Sequence, residues 1–400
     1  MKKIPSPIKF LALCMCAVCV LTSCEKAGTE LSDLMIIQGI GIDVTHSGYR
    51  VTVEILNNEQ SGSPSGDSSS EYKTKIYNAE GESVGAALMQ LTTKSGNKPF
   101  YAHNRVIVLG ERAVNRNLQD VIDFFERNYD SRASELLCVA KNGEAEKVIR
   151  ADLSDDTVKS RILEKMLEQS YRESLVPRAR IIDVVNAAKD ETSRVCIPTV
   201  TVRKNGENEN FVLDGCAVFG KDETFSMYIG SGDAEGLAFL NNEIKKGFIS
   251  ADLPNGQTAT FIINKGKTHY KIEKENGVLH YKLKIDVSCD LEEVGGAEYF
   301  STDDGFFEEI KTAAGKSIAE KAENTLVVLQ SEHGGDVIRY GKRLSLKNNA
   351  LYESVKDSWE KEFSNCRTSI SVNVTIRRIG EETFHSLKPD SVAVLGSVLG

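Results

Sequence analysis

The first 24 residues constrain the rest of the chain most strongly, because they have the layout of an export signal that ends in a cysteine. Three lysines make the start basic, an uncharged, largely apolar run covers residues 10–21, and small residues lead into Cys24. That layout is typical of a secretory signal, and its end resembles the processing site of a bacterial lipoprotein. We therefore expect residues 1–23 to be a signal peptide that is cleaved in front of Cys24.

The alternative interpretation of this segment is a transmembrane helix that stays attached. The apolar run has 12 residues, whereas a helix needs roughly 17–25 to span a bilayer. The lipoprotein interpretation is therefore favoured, with Cys24 as the lipid attachment site. Two acyl chains on one residue, for instance palmitate, should give stable membrane anchoring, because a single chain gives only marginal membrane binding. Everything from Glu25 onward would then be exported and tethered to a membrane surface.

The charge balance argues against several kinds of partner. The formal net charge is −9, and loss of three lysines with the signal would make it −12. An acidic chain is a poor candidate for binding nucleic acid, and its charge does not draw it to anionic lipid. No second apolar stretch approaches the length of a membrane span, so we expect a soluble ectodomain held at the membrane by lipid.

Cysteine and histidine spacing predicts neither a metal site nor a cofactor. No Cys-x-x-Cys pattern or paired histidines suggest zinc. The cysteines after Cys24 are isolated and odd in number, so buried free thiols are the favoured interpretation; a Cys196–Cys216 bridge is the alternative. These five cysteines are Cys138, Cys196, Cys216, Cys289 and Cys366.

Hydrophobic periodicity predicts an α+β, multi-domain ectodomain with mixed and antiparallel sheets. Helical and strand patterns alternate up to about residue 202, including a helix capped by residues 155–157. Short, spaced β segments follow, then a long helix over 306–326 and a last strand over 369–377. Residues 57–70 have a low-complexity loop composition. We place an N-terminal α/β region at 24–205, with two subdomains as the alternative, a C-terminal α+β domain at 206–380, and a flexible tail at 381–400.

No pattern of catalytic residues stands out, so we do not expect an enzyme. Gly39 and Gly41 lack the third glycine and the following helix of a nucleotide-binding turn; close strand packing or a bulge explains them better. His103 is interpreted as a satisfied, partly buried residue at a strand entry, with a ligand contact as the alternative. The paired acids at 292–293 and 308–309 are interpreted as solvated faces rather than acid–base pairs.

Several motifs, in order behind the cysteine, resemble the Ger(x)C family, the lipoprotein C subunits of spore germinant receptors. Trp359, predicted to pack in the core, belongs to one of them. The matching segments are Ile36–Asp43 with its Gly-Ile-Gly-Ile-Asp run, Tyr101–Glu111, Asp123–Arg132, Val139–Lys141, Gly215–Phe219, Glu235–Leu237, Asp336–Gly341, Trp359–Phe363 and Arg377–Gly380. The chain departs from the family in having Glu25-Lys26 after the cysteine, a longer loop at 61–70 and extra residues beyond 380.

The resemblance implies a three-domain α+β ectodomain on the outer face of the spore inner membrane. It would work beside an A-type and a B-type membrane subunit of a germinant receptor, in a scaffolding or coupling role in germination and without enzymatic activity. The rival interpretation is a substrate-binding lipoprotein of a transporter. The sequence identifies neither the germinant nor the subunit contact surface.

Overall fold

The structure is a computed structural model. Cys24 and the predicted signal peptide lie outside the described residues, as does almost all of the predicted loop over 57–70. The described residues are 33–57, 74–116, 118–128, 130–153, 158–221, 224–295, 304–331, 334–379 and 382–383.

Residues 34–229 build a mixed, nine-stranded sheet. Its path runs β3-β2-β1-β5-β6-β7-β8-β9, with β4 beside β1, and the central pairs β1–β5, β5–β6 and β6–β7 are parallel. The strands are β1 (Leu34–Val44), β2 (Tyr49–Leu56), β3 (Thr74–Gly81), β4 (Lys98–Phe100), β5 (Val106–Gly110), β6 (Leu136–Ala140), β7 (Cys196–Asn205), β8 (Asn208–Phe219) and β9 (Phe225–Ile229).

Helices cover both faces of this sheet, which is why its central strands are continuous apolar runs. Ile107 and Leu109 of β5 belong to one hydrophobic cluster, whereas Val106 and Val108 belong to another on the opposite face. The helices are α1 (Val84–Ser95), α2 (Glu111–Arg116), α3 (Leu118–Arg127), α4 (Ala145–Ile149), α5 (Lys159–Arg172) and α6 (Ile181–Ala188).

The C-terminal half is a five-stranded sheet in the order β10-β11-β12-β13-β14, antiparallel except for β12–β13. Buried and partly exposed residues alternate along β12, as in a sheet with one face on the core. The elements are α7 (Ser231–Asn241), β10 (Gly247–Asp252), β11 (Thr258–Glu275), β12 (Val278–Gly295), α8 (Asp304–Leu329), α9 (Tyr340–Lys347), α10 (Asn349–Glu353), α11 (Trp359–Asn365), β13 (Arg367–Ile379) and β14 (Glu382–Thr383).

The predicted fold class is confirmed: two sheets with helices form an α+β architecture, and α8 is the long helix of the C-terminal half, with 26 residues. Trp359 is buried, as predicted. The implied three-domain division is wrong, because β1–β9 share one sheet and the described chain forms two units. The domain limits stay predictions; the one after residue 205 falls in the turn between β7 and β8, inside that sheet.

The two glycines of β1 allow helices to pack directly on the strand. A Cβ atom at Gly39 would lie 1.9 Å from Ser160 Oγ, and one at Gly41 would lie 2.9 Å from a side-chain carbon of Ile149. Glycine is needed here for close approach. The prediction of close packing or a bulge is therefore confirmed, since β1 also has a register shift between Ile37 and Gly39 in its pairing with β2.

Buried carboxylates on β1 and β2 accept hydrogen bonds from the N-terminal ends of the helices that pack against these glycines. Asp43 accepts hydrogen bonds from the backbone N–H groups of Ala145 (2.7 Å) and Glu146 (2.9 Å) at the start of α4. Glu54 accepts them from Lys159 and Ser160 at the start of α5, at 2.9 and 2.8 Å. Both satisfy donors that a helix leaves unpaired.

We predict that Gly39→Ala lowers the free energy of unfolding by about 1–3 kcal/mol, the usual range for overpacking a filled core. The added methyl group would collide with Ser160. Urea denaturation of the purified chain measures the change. Gly143→Ala is the matched control, because its Cβ would have no neighbour nearer than 3.8 Å. Equal midpoints for the two variants would contradict the role assigned to Gly39.

Candidate functional site

The structure brings none of the sequence-predicted candidates into a common site. His103 is exposed, and its ring centroid lies 5.8 Å from that of Phe100, so the partly buried interpretation was wrong. The buried residue at this strand entry is its neighbour Asn104. Glu292, Glu293 and Glu308 are exposed, as predicted for solvated faces. The assignment of Cys24 stays a prediction.

A polar cleft between the two sheets is the candidate site. Its volume is about 460 Å³, and it lies between the end of α6 with its following loop and the segment that leads into α9. Basic and acidic side chains both line it, with an excess of basic ones. The charged lining residues are Arg178, Asp183, Lys189, Asp190, Arg194, Glu243, Arg339 and Lys342.

A tight turn after α6 shapes the N-terminal wall of the cleft. One carboxylate oxygen of Asp190 accepts hydrogen bonds from the N–H groups of Thr192 (3.0 Å) and Ser193 (2.9 Å) and from the Thr192 hydroxyl. Burial alone would raise the pKa of Asp190, but these hydrogen bonds and nearby Lys342 outweigh it and lower the pKa. Asp190 is therefore an ionised turn residue whose salt bridge to Lys342, at 3.5 Å, crosses the cleft.

Asp336 organises the opposite wall. Its buried carboxylate accepts hydrogen bonds from the N–H groups of Tyr340 and Gly341, both at 2.8 Å, and from the indole N–H of Trp359 at 3.1 Å. Burial raises the pKa of Asp336 to about 6, although the three hydrogen bonds oppose that rise. The same side chain thus fixes the start of α9 and the position of α11.

Arg194 joins the two walls. Its backbone N–H donates to the carbonyl oxygen of Asp336 (3.1 Å), and its guanidinium donates to Glu360 (2.9 Å) of α11. The side chain is 5% exposed although it carries a charge. Gly341 fits against Thr192, since a Cβ on that glycine would lie 2.4 Å from the threonine hydroxyl. The turn over 190–194 is therefore held against the C-terminal unit by a backbone hydrogen bond, a salt bridge and close packing of Thr192 on Gly341.

A further buried carboxylate, that of Glu135, lies at the entry to β6. Glu135 accepts a hydrogen bond from the N–H of Arg132 (2.9 Å) and one from the side-chain amide of Asn104. Burial raises the pKa of Glu135 to about 7. The carbonyl oxygen of the Asn104 side chain is buried without a partner.

The contacts beside the cleft hold the two units together. In the part of the chain that the structure describes, no cluster of three or more His, Cys, Asp or Glu side chains is placed to hold a metal ion. Nor does any helix in that part combine the length and the apolar character needed to cross a membrane.

Sequence reasoning missed Asp336, Arg194 and Glu135 as key residues. A weak signal was available for Asp336, because an acid four residues before a helical stripe is a plausible helix-end partner. No local signal marks Arg194, because its partners Asp336 and Glu360 lie far along the chain. None marks Glu135 either, because its raised pKa is caused by burial.

Two profiles of protein families match the chain in succession. The one described as the spore germination protein N-terminal domain matches residues 28–202, and the one described as spore germination B3/GerAC like, C-terminal, matches residues 214–380. The chain is 25% identical over 388 residues to spore germination protein KC of Bacillus subtilis (strain 168), covering 92% of this chain and 95% of that protein. It is 21% identical over 312 residues to spore germination protein GerQC of Bacillus cereus, covering 78% and 84%.

The fold also matches a solved structure. The crystal structure of the GerBC protein superposes with a TM-score of 0.57 at 20% identity, over 84% of this chain and 96% of that one. At this identity the likeness concerns the fold.

We predict that Asp336→Ala lowers the free energy of unfolding by about 2–4 kcal/mol, because it leaves three buried donors without an acceptor. Urea denaturation followed by fluorescence of Trp359, the sole tryptophan, reports on the same site. Asp357→Ala, at an exposed acid two residues before that tryptophan, is the control and should stay within about 0.5 kcal/mol. A similar small effect of Asp336→Ala would refute its role as an organising residue.

We predict that Glu135→Gln stabilises the protein at pH 8 by about 1–3 kcal/mol and loses this advantage near pH 5. The folded-state pKa of Glu135, about 7, lies above the ordinary value of 4.5. The folded state therefore binds this proton more tightly than the unfolded state, and its stability rises as the pH falls from about 8 toward 4.5. The glutamine has no charge to bury, and rotation of the Asn104 amide supplies it with an acceptor.

The measurement is the difference in unfolding free energy between variant and parent at pH 8 and at pH 5. Glu82→Gln, at an exposed position, is the control for loss of a surface charge. A constant difference for Glu135→Gln would contradict the raised pKa.

Proposed function

Because the chain belongs to the Ger(x)C family of spore germination proteins, we propose that it is the lipid-anchored C subunit of a nutrient germinant receptor. Its anchor would be the diacylglyceryl group on Cys24, placed on the outer face of the spore inner membrane. The A-type and B-type membrane subunits of the receptor would be its partners. Its role would be scaffolding or coupling within that assembly, without catalysis.

The observation that carries this proposal is the succession of both family domains on one chain. The two matches, over 28–202 and 214–380, reproduce the family's N-terminal and C-terminal parts in order. The junction formed by Arg194, Asp336 and Glu360 supports the scaffolding role, because it holds the two units in one orientation.

A substrate-binding lipoprotein of a transporter is the rival function, and the polar cleft is the observation in its favour. Binding proteins of that kind close two similar α/β lobes around a ligand. The two units here are dissimilar, one a mixed nine-stranded sheet and the other a five-stranded sheet with one face on the core. The receptor function is therefore the better supported of the two.

Deletion of the gene, with the parent chain or a Cys24→Ala chain restored, tests the proposal. We expect the deletion to abolish germination on some nutrients of a panel, measured as loss of spore refractility, and Cys24→Ala to restore it only partly. The reason is that an unanchored subunit loses its high local concentration at the membrane. Cys138→Ala, which removes a different cysteine, should restore germination to the level of the parent chain.

Two outcomes would count against the proposal. Normal germination of the deletion strain on every nutrient, together with reduced uptake of one solute by growing cells, would favour the transporter function. Full restoration by Cys24→Ala, with the protein still in the membrane fraction, would remove the lipid anchor from the proposal while leaving receptor membership intact.

A further inference from the structure

Two cysteines of the nine-stranded sheet lie in contact with each other. Cys196 opens β7, and Cys216 lies on the neighbouring antiparallel strand β8. Cys196 is paired in register with Val218, and Cys216 with Pro198, so the two cysteines are diagonal neighbours on one face of the sheet. Their Sγ atoms are 2.7 Å apart. The two free thiols are thus in contact, and a disulfide needs the sulfurs to approach to about 2.05 Å.

The other described cysteines differ from this pair. Cys366 receives a hydrogen bond from the Gln330 amide, and Cys289 donates one to the carbonyl oxygen of Thr375. Cys138 is fully buried among apolar side chains. Each of these three fits the role of a small buried residue. Cys196 and Cys216 are each other's sulfur partners instead.

The pair is also reachable from solvent at one end. Cys216 is fully buried, but Cys196 is half-buried and lines the polar cleft. Cys196 is therefore the member of the pair that faces the cleft, and its sulfur contacts that of Cys216. Disulfide formation by exchange needs one thiol that meets the oxidant and a second thiol that reaches the sulfur of the first.

We propose that Cys196 and Cys216 form a disulfide in the exported protein, which fastens β7 to β8 beside the polar cleft. The bond goes beyond the receptor function, and only its occurrence in the cell rests on export, because disulfides persist outside the reducing cytosol. Arg194 lies two residues before Cys196, so the bond would brace the start of the strand that follows this junction residue.

The chemistry balances with an organic disulfide as the oxidant. The Cys196 thiolate attacks one sulfur of that oxidant, forms a mixed disulfide and releases a thiolate. The Cys216 thiolate then attacks the Cys196 sulfur and releases the second thiolate. The protons of the two cysteines end on the two released thiols. Cys196 attacks first because it is accessible, whereas burial raises the pKa of the Cys216 thiol.

The decisive experiment uses the purified full-length chain in detergent, equilibrated with mixtures of reduced and oxidised glutathione. Free thiols are then alkylated, and the peptides are analysed by mass spectrometry without reduction. We expect a linked pair of peptides containing Cys196 and Cys216, lighter than the dithiol by two hydrogen atoms. The oxidised chain should have a higher urea midpoint than the reduced chain. The cross-link should be lost in Cys196→Ala and kept in the matched control Cys138→Ala.

Alkylation of both cysteines even in fully oxidised glutathione would overturn the proposal. So would a cross-link of Cys196 to another cysteine in the parent chain. The same alkylation on membranes from spores then reports the state in the cell. Suppose that the disulfide forms readily in the purified protein, but that the spore protein has free thiols and is found in the cytosol. The expectation of export would then be wrong, and the capacity to form the disulfide would stand. Thiols in a chain located outside the membrane would reject the disulfide in the working protein.

Discussion

The contact between the two units rests on a segment that one buried carboxylate, that of Asp336, holds in place. Its two oxygens accept three hydrogen bonds, two from the backbone at the start of α9 and one from the indole of Trp359. The backbone carbonyl oxygen of Asp336 accepts a hydrogen bond from the backbone N–H of Arg194 in the other unit. A desolvated carboxylate is costly unless its hydrogen bonds are complete. The surrounding segments are therefore constrained to keep the positions that complete them.

The same device recurs at other places in the fold. Asp43 on β1 and Glu54 on β2 accept hydrogen bonds from the starts of helices α4 and α5, and Glu135 accepts one from the turn before β6. In each case a buried acid supplies acceptors for backbone N–H groups that have none within their own element. Gly39 makes the approach possible, because any side chain there would push α5 away from β1.

Periodicity predicted most of the local structure, because the apolar patterns of β5, β6 and α8 arise within short windows. It could not predict the carboxylate contacts. Residues 155–157 were expected to cap the helix near 159, and they lie outside the described residues. The cap seen for α5 comes from Glu54, which is 105 residues before Lys159. Such a pairing depends on strand order, and strand order is not written in any local pattern.

The same reasoning explains what was mistaken about the candidate site. His103 stood out because its residue type carries chemistry, yet it is exposed and its neighbour Asn104 is buried. The implied three domains became two units because the hairpin of β7 and β8 extends the first sheet beyond the parallel core. A polar segment such as residues 204–210 can end a domain or form the turn of a hairpin. Which of the two it does depends on the strand with which the next strand pairs, and a short stretch of sequence does not contain that pairing.

The nature of the junction bears on how such a protein can transmit a signal. A hinge-closing protein keeps a weak interface between lobes, so that a ligand's differential affinity is enough to shift the balance of open and closed states. Here the turn over 190–194 is held by a buried backbone hydrogen bond, a nearly buried arginine and a glycine–threonine contact. Separating the units would break the hydrogen bond from the Arg194 backbone N–H to the Asp336 carbonyl oxygen and take the Arg194 guanidinium away from Glu360. Such a junction favours movement of the two units together, which is what the proposed coupling role needs and a closing trap does not.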